Sequence, residues 1–486
     1  MLPTSAISRV TGVNVEFRNF NAGGGGFLPQ RLAVIGVGND DAEYSTAKHE
    51  STGSADAIAK RYGYGSPLHL AARQLFPTGG GGANFPVTIY PLRKPAAAAA
   101  AEGVISCDGI SDVAGSGTVY IGGIMAEFPI AKGASADEVL GAIKAAITSK
   151  LDMPVLPGAI EDGELKIKSK WSGESGNDIT IEVETIVTTI TLGTKKMSGG
   201  ALDPEITPAL EAIGQIWETF LLDTFAWKKT SRLDEYQLFC EGRWSELQKM
   251  PCMVAHGCVD DFEIRTAVTD KRKFDYANFL IPSVGSRELP FVIAARGLVN
   301  DIMTNANSNP PLGYKGKLVG LAAGDDIDQE NYLTRNNAVT KGASTNIKTG
   351  SVAELNDIVT FWHPENEMMP SRRYVVDLVK LQNVVFNVRM IMEADEKKGA
   401  PLVSDATVTS NPKAIQPKTV KTELMNLADA LARAAIIQEQ TFTKENLVVK
   451  IDSVNPKRLN TQYPVKLSGN VEVTSNDIYF GFYLEA

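Results

Sequence analysis

The chain has 486 residues, 43% of them hydrophobic, enough for roughly three domains with sizeable packed cores. Its formal net charge of -9 opposes the phosphate attraction on which nucleic-acid binding mostly rests, so no nucleic-acid partner is expected. Residues 1–30 lack a basic start followed by an apolar stretch, and no run of about 18 apolar residues occurs, which argues against an export signal or membrane span and for a cytoplasmic protein. Cys107, Cys240, Cys252 and Cys258 are few for this length and are expected as buried free thiols in a reducing compartment.

Val13, Val15 and Phe17 alternate with Asn14, Glu16 and Arg18, the period of two that describes a half-buried strand. Gly23, Gly24, Gly25 and Gly26 follow as a hinge that leaves this strand free to swing as an arm. Leu32 to Gly38 reads as a buried strand, followed by helices at Ala55 to Tyr62 and Pro67 to Phe76 and by a strand Val87 to Tyr90 bounded by Pro86 and Pro91. Two βα-like units thus open an α/β body. The second tetraglycine, Gly79 to Gly82, also reads as a hinge, because it lacks the Lys, Ser or Thr of a phosphate-binding loop.

Pro95 and the alanine run Ala96 to Ala101 mark a shift in composition. From about Gly103 to Thr194 the chain carries its own set of signals. Ser135 and Glu138 make a capping box ahead of Val139, Ile143, Ile147 and Leu151 at helical spacing, while Leu165/Ile167 and Ile179/Ile181/Val183 alternate as strands. The block reads as an inserted small α+β, β-rich domain. After Thr207 and Pro208, the residues Leu210, Ile213, Trp217 and Phe220 fall on one helical face, and strands and helices alternate to about residue 395. Pro417 opens a last amphipathic helix with the stripe Val420, Leu424, Leu427, Leu431 and Ala434, after which the chain turns to strands at Leu447 to Ile451, Tyr463 to Leu467 and Val471 to Val473. The terminal strand places Ile478, Phe480, Phe482 and Leu484 on one face, an apolar edge that invites pairing with another chain.

Chemistry-bearing patterns are sparse. Cys252, His256 and Cys258 form a C-x3-H-x-C cluster whose spacing matches none of the paired patterns of structural zinc. His49, His69, His256 and His363 are scattered without a triad-like partner, Gly36-Val37-Gly38-Asn39 lacks the third glycine of a dinucleotide turn, and Asp260-Asp261 and Asp325-Asp326 read as solvated loops. No catalytic, cofactor-binding or metal-binding residue is assigned, and the chain is not expected to be an enzyme.

Several stretches resemble contractile phage tail sheath proteins, especially the Mu-like tail sheath family. They are Ile415-Gln416-Pro417-Lys418-Thr419 with Glu423-Leu424, then Asp452-Ser453-Val454-Asn455-Pro456-Lys457-Arg458-Leu459 before Pro464-Val465. Upstream are Tyr332-Leu333-Thr334-Arg335-Asn336-Asn337-Ala338, where Thr334 replaces an acid, Ile347-Lys348-Thr349-Gly350, Gly63 to Leu68, and Arg243-Trp244 late in a helical region from Trp217. Trp171 to Ile179 is similar to the variable outer domain of such sheaths.

The resemblance implies an α/β and α+β multidomain protein: an N-terminal strand arm and hinge (1–30), a sheath body in two parts (31–102 and 199–395), an inserted outer domain (103–198), a C-terminal domain (396–473) and a C-terminal strand arm (474–486). It implies a homo-oligomeric helical sheath, with six-fold rings, that grows around a tail tube protein by strand exchange and contracts without a cofactor. Its further partners would be baseplate and tail terminator proteins, with no membrane binding by the subunit, and its place would be the virion tail after assembly in the host cytoplasm. Val13, Val15, Phe17, Ile478, Phe480 and Phe482 would then be the intersubunit strands, and Lys418, Lys421 and Arg433, outside the apolar stripe, either the candidate contact with an acidic tube surface or a solvated polar face. The nearest alternative is the sheath of a tailocin or other contractile injection system; a rival of another class is a cytoplasmic α/β enzyme.

Overall fold

A computed structural model describes residues 28–46, 50–306, 313–367 and 371–471. It divides into two compact units, Pro29–Gln382 with the residues from Gly469, and Asn383–Ser468 with Leu28. The proposed arm strands at Val13, Val15, Phe17 and at Ile478, Phe480, Phe482, like the hinge Gly23 to Gly26, lie outside the described residues.

In the larger unit the first strands are β1 (Leu32–Val37), β2 (Glu50–Thr52) and β3 (Val87–Leu92). Ser54 caps helix Ala55–Tyr62 by accepting from Ala57 N, and Ser66 caps Pro67–Leu75 by accepting from His69 N, with Pro67 in the first turn where its missing N–H costs nothing. Residues 100–198 contribute β4 (Ala100–Gly109), β5 (Gly115–Ile121), β6 (Ile124–Ile130), β7 (Val155–Glu161), β8 (Glu164–Ser172), β9 (Ile181–Thr185) and β10 (Ile190–Ser198). These make one sheet ordered β10-β4-β8-β7 and another ordered β6-β5-β9. Helix Ala136–Ser149 buries Val139, Leu140, Ile143, Ala146 and Ile147, and its capping box is reciprocal: Ser135 N donates to Glu138 Oε2 at 2.8 Å, and Glu138 N to Ser135 Oγ at 3.4 Å.

The chain then supplies β11 (Phe220–Asp223), β12 (Met253–Cys258) and β13 (Asn278–Pro282). They join the first strands in a six-stranded sheet ordered β13-β12-β11-β1-β3-β2, parallel except for β2. Every residue of β1, β3, β11, β12 and β13 is buried, as a parallel sheet covered on both faces requires. Helix Thr230–Trp244 covers the face carrying His256, whose ring meets Tyr236 edge-on at 5.7 Å. Helix Pro290–Gly297 covers the other face so closely that a Cβ on Gly257 would lie 1.5 Å from Pro290 O. Beyond the sheet, β14 (Thr345–Thr349) and β15 (Val352–Asp357) form a hairpin.

The smaller unit packs helix Pro417–Arg433 on a cluster of Val384, Val420, Leu424, Leu427, Ala428, Leu431, Ile436, Ile437 and Leu447. Its strands are short: β16 (Ile437–Gln438) pairs only β19 (Lys466–Leu467), and β17 (Val448–Ile451) pairs only β18 (Leu459–Gln462), among the described residues.

Several local expectations change. The helix from Thr207 stops at Ile213 because Gly214 takes φ +51°, so Trp217 lies in the connection and Phe220 opens β11; the next helix begins only at Thr230. Leu151, expected on the capping-box helix, lies past its end and is 64% exposed. Pro91 sits inside β3, which tolerates it because β2 pairs only Val87 to Ile89. Ile179 follows a short helical turn and precedes β9, and a further helix at Gln440–Asn446 stands between the Pro417 helix and the first of the expected C-terminal strands.

Candidate assembly surfaces

At 3.6 residues per turn, Lys418 and Arg433 fall on the side of helix Pro417–Arg433 opposite Val420, Leu424, Leu427 and Leu431, and Lys421 on the flank of that stripe. Lys418 and Arg433 are exposed and Lys421 is half-buried. Asp405 accepts from Lys418 N at 2.8 Å, placing a carboxylate at the positive end of the helix dipole. The helix is fastened within its unit by Lys397 to Glu423 at 2.7 Å and Lys444 to Asp429 at 2.6 Å. Asp429 shares the cationic face, so part of that face is already neutralised. These pairings are not legible in the sequence, because nothing local links residues 397 and 423.

The second candidate surface is the set of strand edges in the smaller unit. Among the described residues these ladders have two strands each, so the outward N–H and C=O groups of each have no strand partner there, a template for an added strand. The β17–β18 hairpin is held by its loop, the Asp452 to Leu459 stretch singled out in the sequence. Asp452 Oδ1 accepts from Val454 N at 2.9 Å and Asn455 N at 2.8 Å, and Oδ2 accepts from Asn460 Nδ2 at 2.7 Å. Donation by the Asn455 N–H, then by Asn460 and Val454, holds the Asp452 carboxyl down to about 2.

The larger unit presents a different chemistry. His256 Nδ1 lies 3.2 Å from Asp223 Oδ2, and its Nε2 lies 2.9 Å from Asn278 Oδ1. Asn278 Nδ2 donates to Asp275 Oδ2 at 2.8 Å, which also accepts from Arg272 Nε at 2.8 Å. Burial pushes the Asp223 carboxyl up, but His256, Arg232 and the Phe225 N–H outweigh it and hold it below its ordinary value. An Asp–His pair is also a catalytic arrangement. Here both ring nitrogens are occupied by buried partners and no hydroxyl or thiol nucleophile is placed on them, so the chain of bonds fastens β11, β12 and β13 together.

The remaining motif residues also have structural partners. Cys252 lies against Cys240, and Cys258 Sγ is 3.6 Å from Asp260 Oδ2, so Cys252, His256 and Cys258 do not converge. No group of three or more His, Cys, Asp or Glu among the described residues is placed to hold a metal ion. The turn after β1 is filled by the protein itself: Gly38 N donates to Tyr44 Oη at 2.8 Å, and Asn39 Nδ2 to Tyr64 O at 2.9 Å. Trp171, from the stretch read as outer domain, is fully buried, with Nε1 donating to Ser175 Oγ at 3.0 Å and its ring against Phe291.

The fold is thus that of a mixed α/β, multidomain protein with several separate sheets. No family model matches the chain. It is similar to the Mu-like prophage FluMu tail sheath protein of Haemophilus influenzae, 23% identical over 411 residues, spanning 81% of each chain. Solved structures similar to it include a sheath tail protein from Listeria innocua (TM-score 0.49, 10% identity, 92% of this chain and 93% of that one). Two others are a sheath tail protein from Desulfitobacterium hafniense (TM-score 0.47, 11% identity, 95% and 97%) and the sheath of an extracellular contractile injection system in its contracted state (TM-score 0.46, 9% identity, 97% of both). The resemblance to the contractile tail sheath family read from the sequence therefore extends over most of the chain.

Proposed function

We propose that this chain is the repeating subunit of a contractile tail sheath, which polymerises helically around an inner tube and shortens to drive the tube through a target envelope. The observation that carries this reading is the similarity to a Mu-like prophage sheath protein over four fifths of both chains. The two-stranded ladders of the smaller unit support strand exchange as the means of assembly, with the segments around Val13 to Phe17 and Ile478 to Phe482 as the donated strands. Main-chain hydrogen bonds would supply the affinity, and the alternation of Ile478, Phe480 and Phe482 the register. A heterologous contact that does not close on itself generates a helix, so one subunit type suffices for a tube.

On this reading the subunit is structural and non-enzymatic, and its partners are further copies, the tube protein and the proteins at the two ends of the tail. Residues 103–198 would be the outer domain, and Gly23 to Gly26 the hinge that absorbs the rotation of bodies during contraction. The buried parallel sheet of the larger unit, covered on both faces, suits a body that moves rigidly.

Negative-stain electron microscopy of the full-length protein beside a version lacking residues 1–22 and 474–486 tests the assembly step. Long hollow tubes from the full-length protein alone support it; full-length protein that stays monomeric or dimeric at high concentration overturns it.

A further inference from the structure

Cys240, on helix Thr230–Trp244, and Cys252, just before β12, are fully buried with their sulfurs 3.4 Å apart. The connection between them is pinned at both ends, by Met250 N donating to Arg243 O at 2.9 Å and by Trp244 Nε1 donating to Cys252 O at 3.1 Å. A disulfide needs its sulfurs at about 2.05 Å, an approach of a little over 1 Å shared between two side chains. Cys258 is directed to Asp260 instead, and Cys107 lies in β4 of a different sheet.

We propose that Cys240 and Cys252 form a modification site, a dithiol that closes to an intramolecular disulfide when the protein meets hydrogen peroxide. Both thiols are fully buried, so oxidation starts from local opening of the connection before β12, which bares Cys252 ahead of Cys240 on its helix. The Cys252 thiolate attacks one peroxide oxygen and the O–O bond breaks, giving a sulfenic acid and a hydroxide that leaves as water with the thiol proton. Cys240 then attacks the sulfenic sulfur, the S–O bond breaks, and the departing hydroxide takes the Cys240 proton as a second water. Two thiols and one peroxide become one disulfide and two waters, the two electrons passing from sulfur to peroxide.

Burial holds the Cys240 thiol well above its ordinary pKa, so little of it is thiolate and its attack on the sulfenic acid is slow. Closure would tie the C-terminal part of the helix to the first residues of β12.

Full-length protein is treated with dilute hydrogen peroxide, quenched, unfolded and alkylated with a maleimide. The expected result is a mass loss of about 2 Da with two thiols still alkylatable, and a tryptic peptide of residues 233–243 linked to residues 250–265. Because the second peptide also contains Cys258, the link is assigned by fragmentation and again in Cys258→Ser, where it must persist. The melting temperature should rise by a few degrees and fall back with dithiothreitol. Four alkylatable thiols, mass gains of whole oxygen atoms without the cross-linked peptide, or a link that maps to Cys258 would overturn the proposal.

Discussion

The two units spend their backbone hydrogen bonds differently. In the larger, five buried parallel strands are paired along their length, and the polar groups among them are joined in the chain Asp223–His256–Asn278–Asp275–Arg272. In the smaller, a nine-residue buried cluster supports one long helix and two ladders of two strands each, among the described residues. The first is built around a covered parallel sheet, although it also carries the β14–β15 hairpin; the second has only two-stranded ladders among the described residues. That difference gives the proposed sheath a mechanical division, with rigidity in one unit and attachment in the other.

The largest expected effect is in the larger unit. Asp223→Ala removes one partner of a buried ion pair and should cost about 3–5 kcal/mol, read as lost hydrogen-exchange protection across β11 to β13 while the smaller unit is unchanged. Leu424→Ala is the counterpart in the smaller unit, costing about 2–5 kcal/mol and releasing helix Pro417–Arg433.

Acid should act on the two units with opposite sign at two carboxyls. Burial raises Asp301 from 3.8 to about 6, the Gly316 N–H opposing, so its folded form holds a proton the unfolded chain has lost. Its contribution to stability is therefore present below about 4 and falls as pH rises through about 6. Asp301→Asn should flatten that slope in the pH dependence of unfolding. Asp452, held down to about 2, contributes stability above about 4 that is lost as pH falls through about 2, and Asp452→Ala should loosen the β17–β18 hairpin at neutral pH.

Ser135→Ala removes the capping box and should cost about 0.5–2 kcal/mol, confined to helix Ala136–Ser149. The smallest effect on stability belongs to Lys418→Glu with Lys421→Glu. Both side chains lie off the apolar stripe, so melting should be almost unchanged while tube-templated assembly weakens if they face an acidic tube. Unaltered assembly would remove them from the tube contact.

What was legible in the sequence follows the range of the forces involved. The capping box at Ser135, the Pro67 helix start, the buried run of β1 and the stripe from Val420 to Leu431 are local patterns, and each stands where it was read. Asp162-Gly163 was a local signal passed over: both residues take positive φ in the two-residue turn between β7 and β8. The helix through Trp217 failed because apolar spacing outweighed Gly214, a stop signal in plain sight. The Asp223–His256–Asn278 chain could not be read at all, since its members are separated by 33 and 22 residues and meet only once the sheet orders its strands. Of the candidate surfaces, the helix cations were legible from periodicity, whereas the short ladders depend on which strands pair.

The central claim is that the short ladders of the smaller unit are completed by strands from neighbouring copies. Hydrogen exchange with mass spectrometry, comparing dispersed subunits with assembled tubes, tests it most directly. The account predicts a large gain in protection on assembly at β16 to β19 and little change across β1, β11, β12 and β13; equal exchange at β16 to β19 in the two states would contradict it.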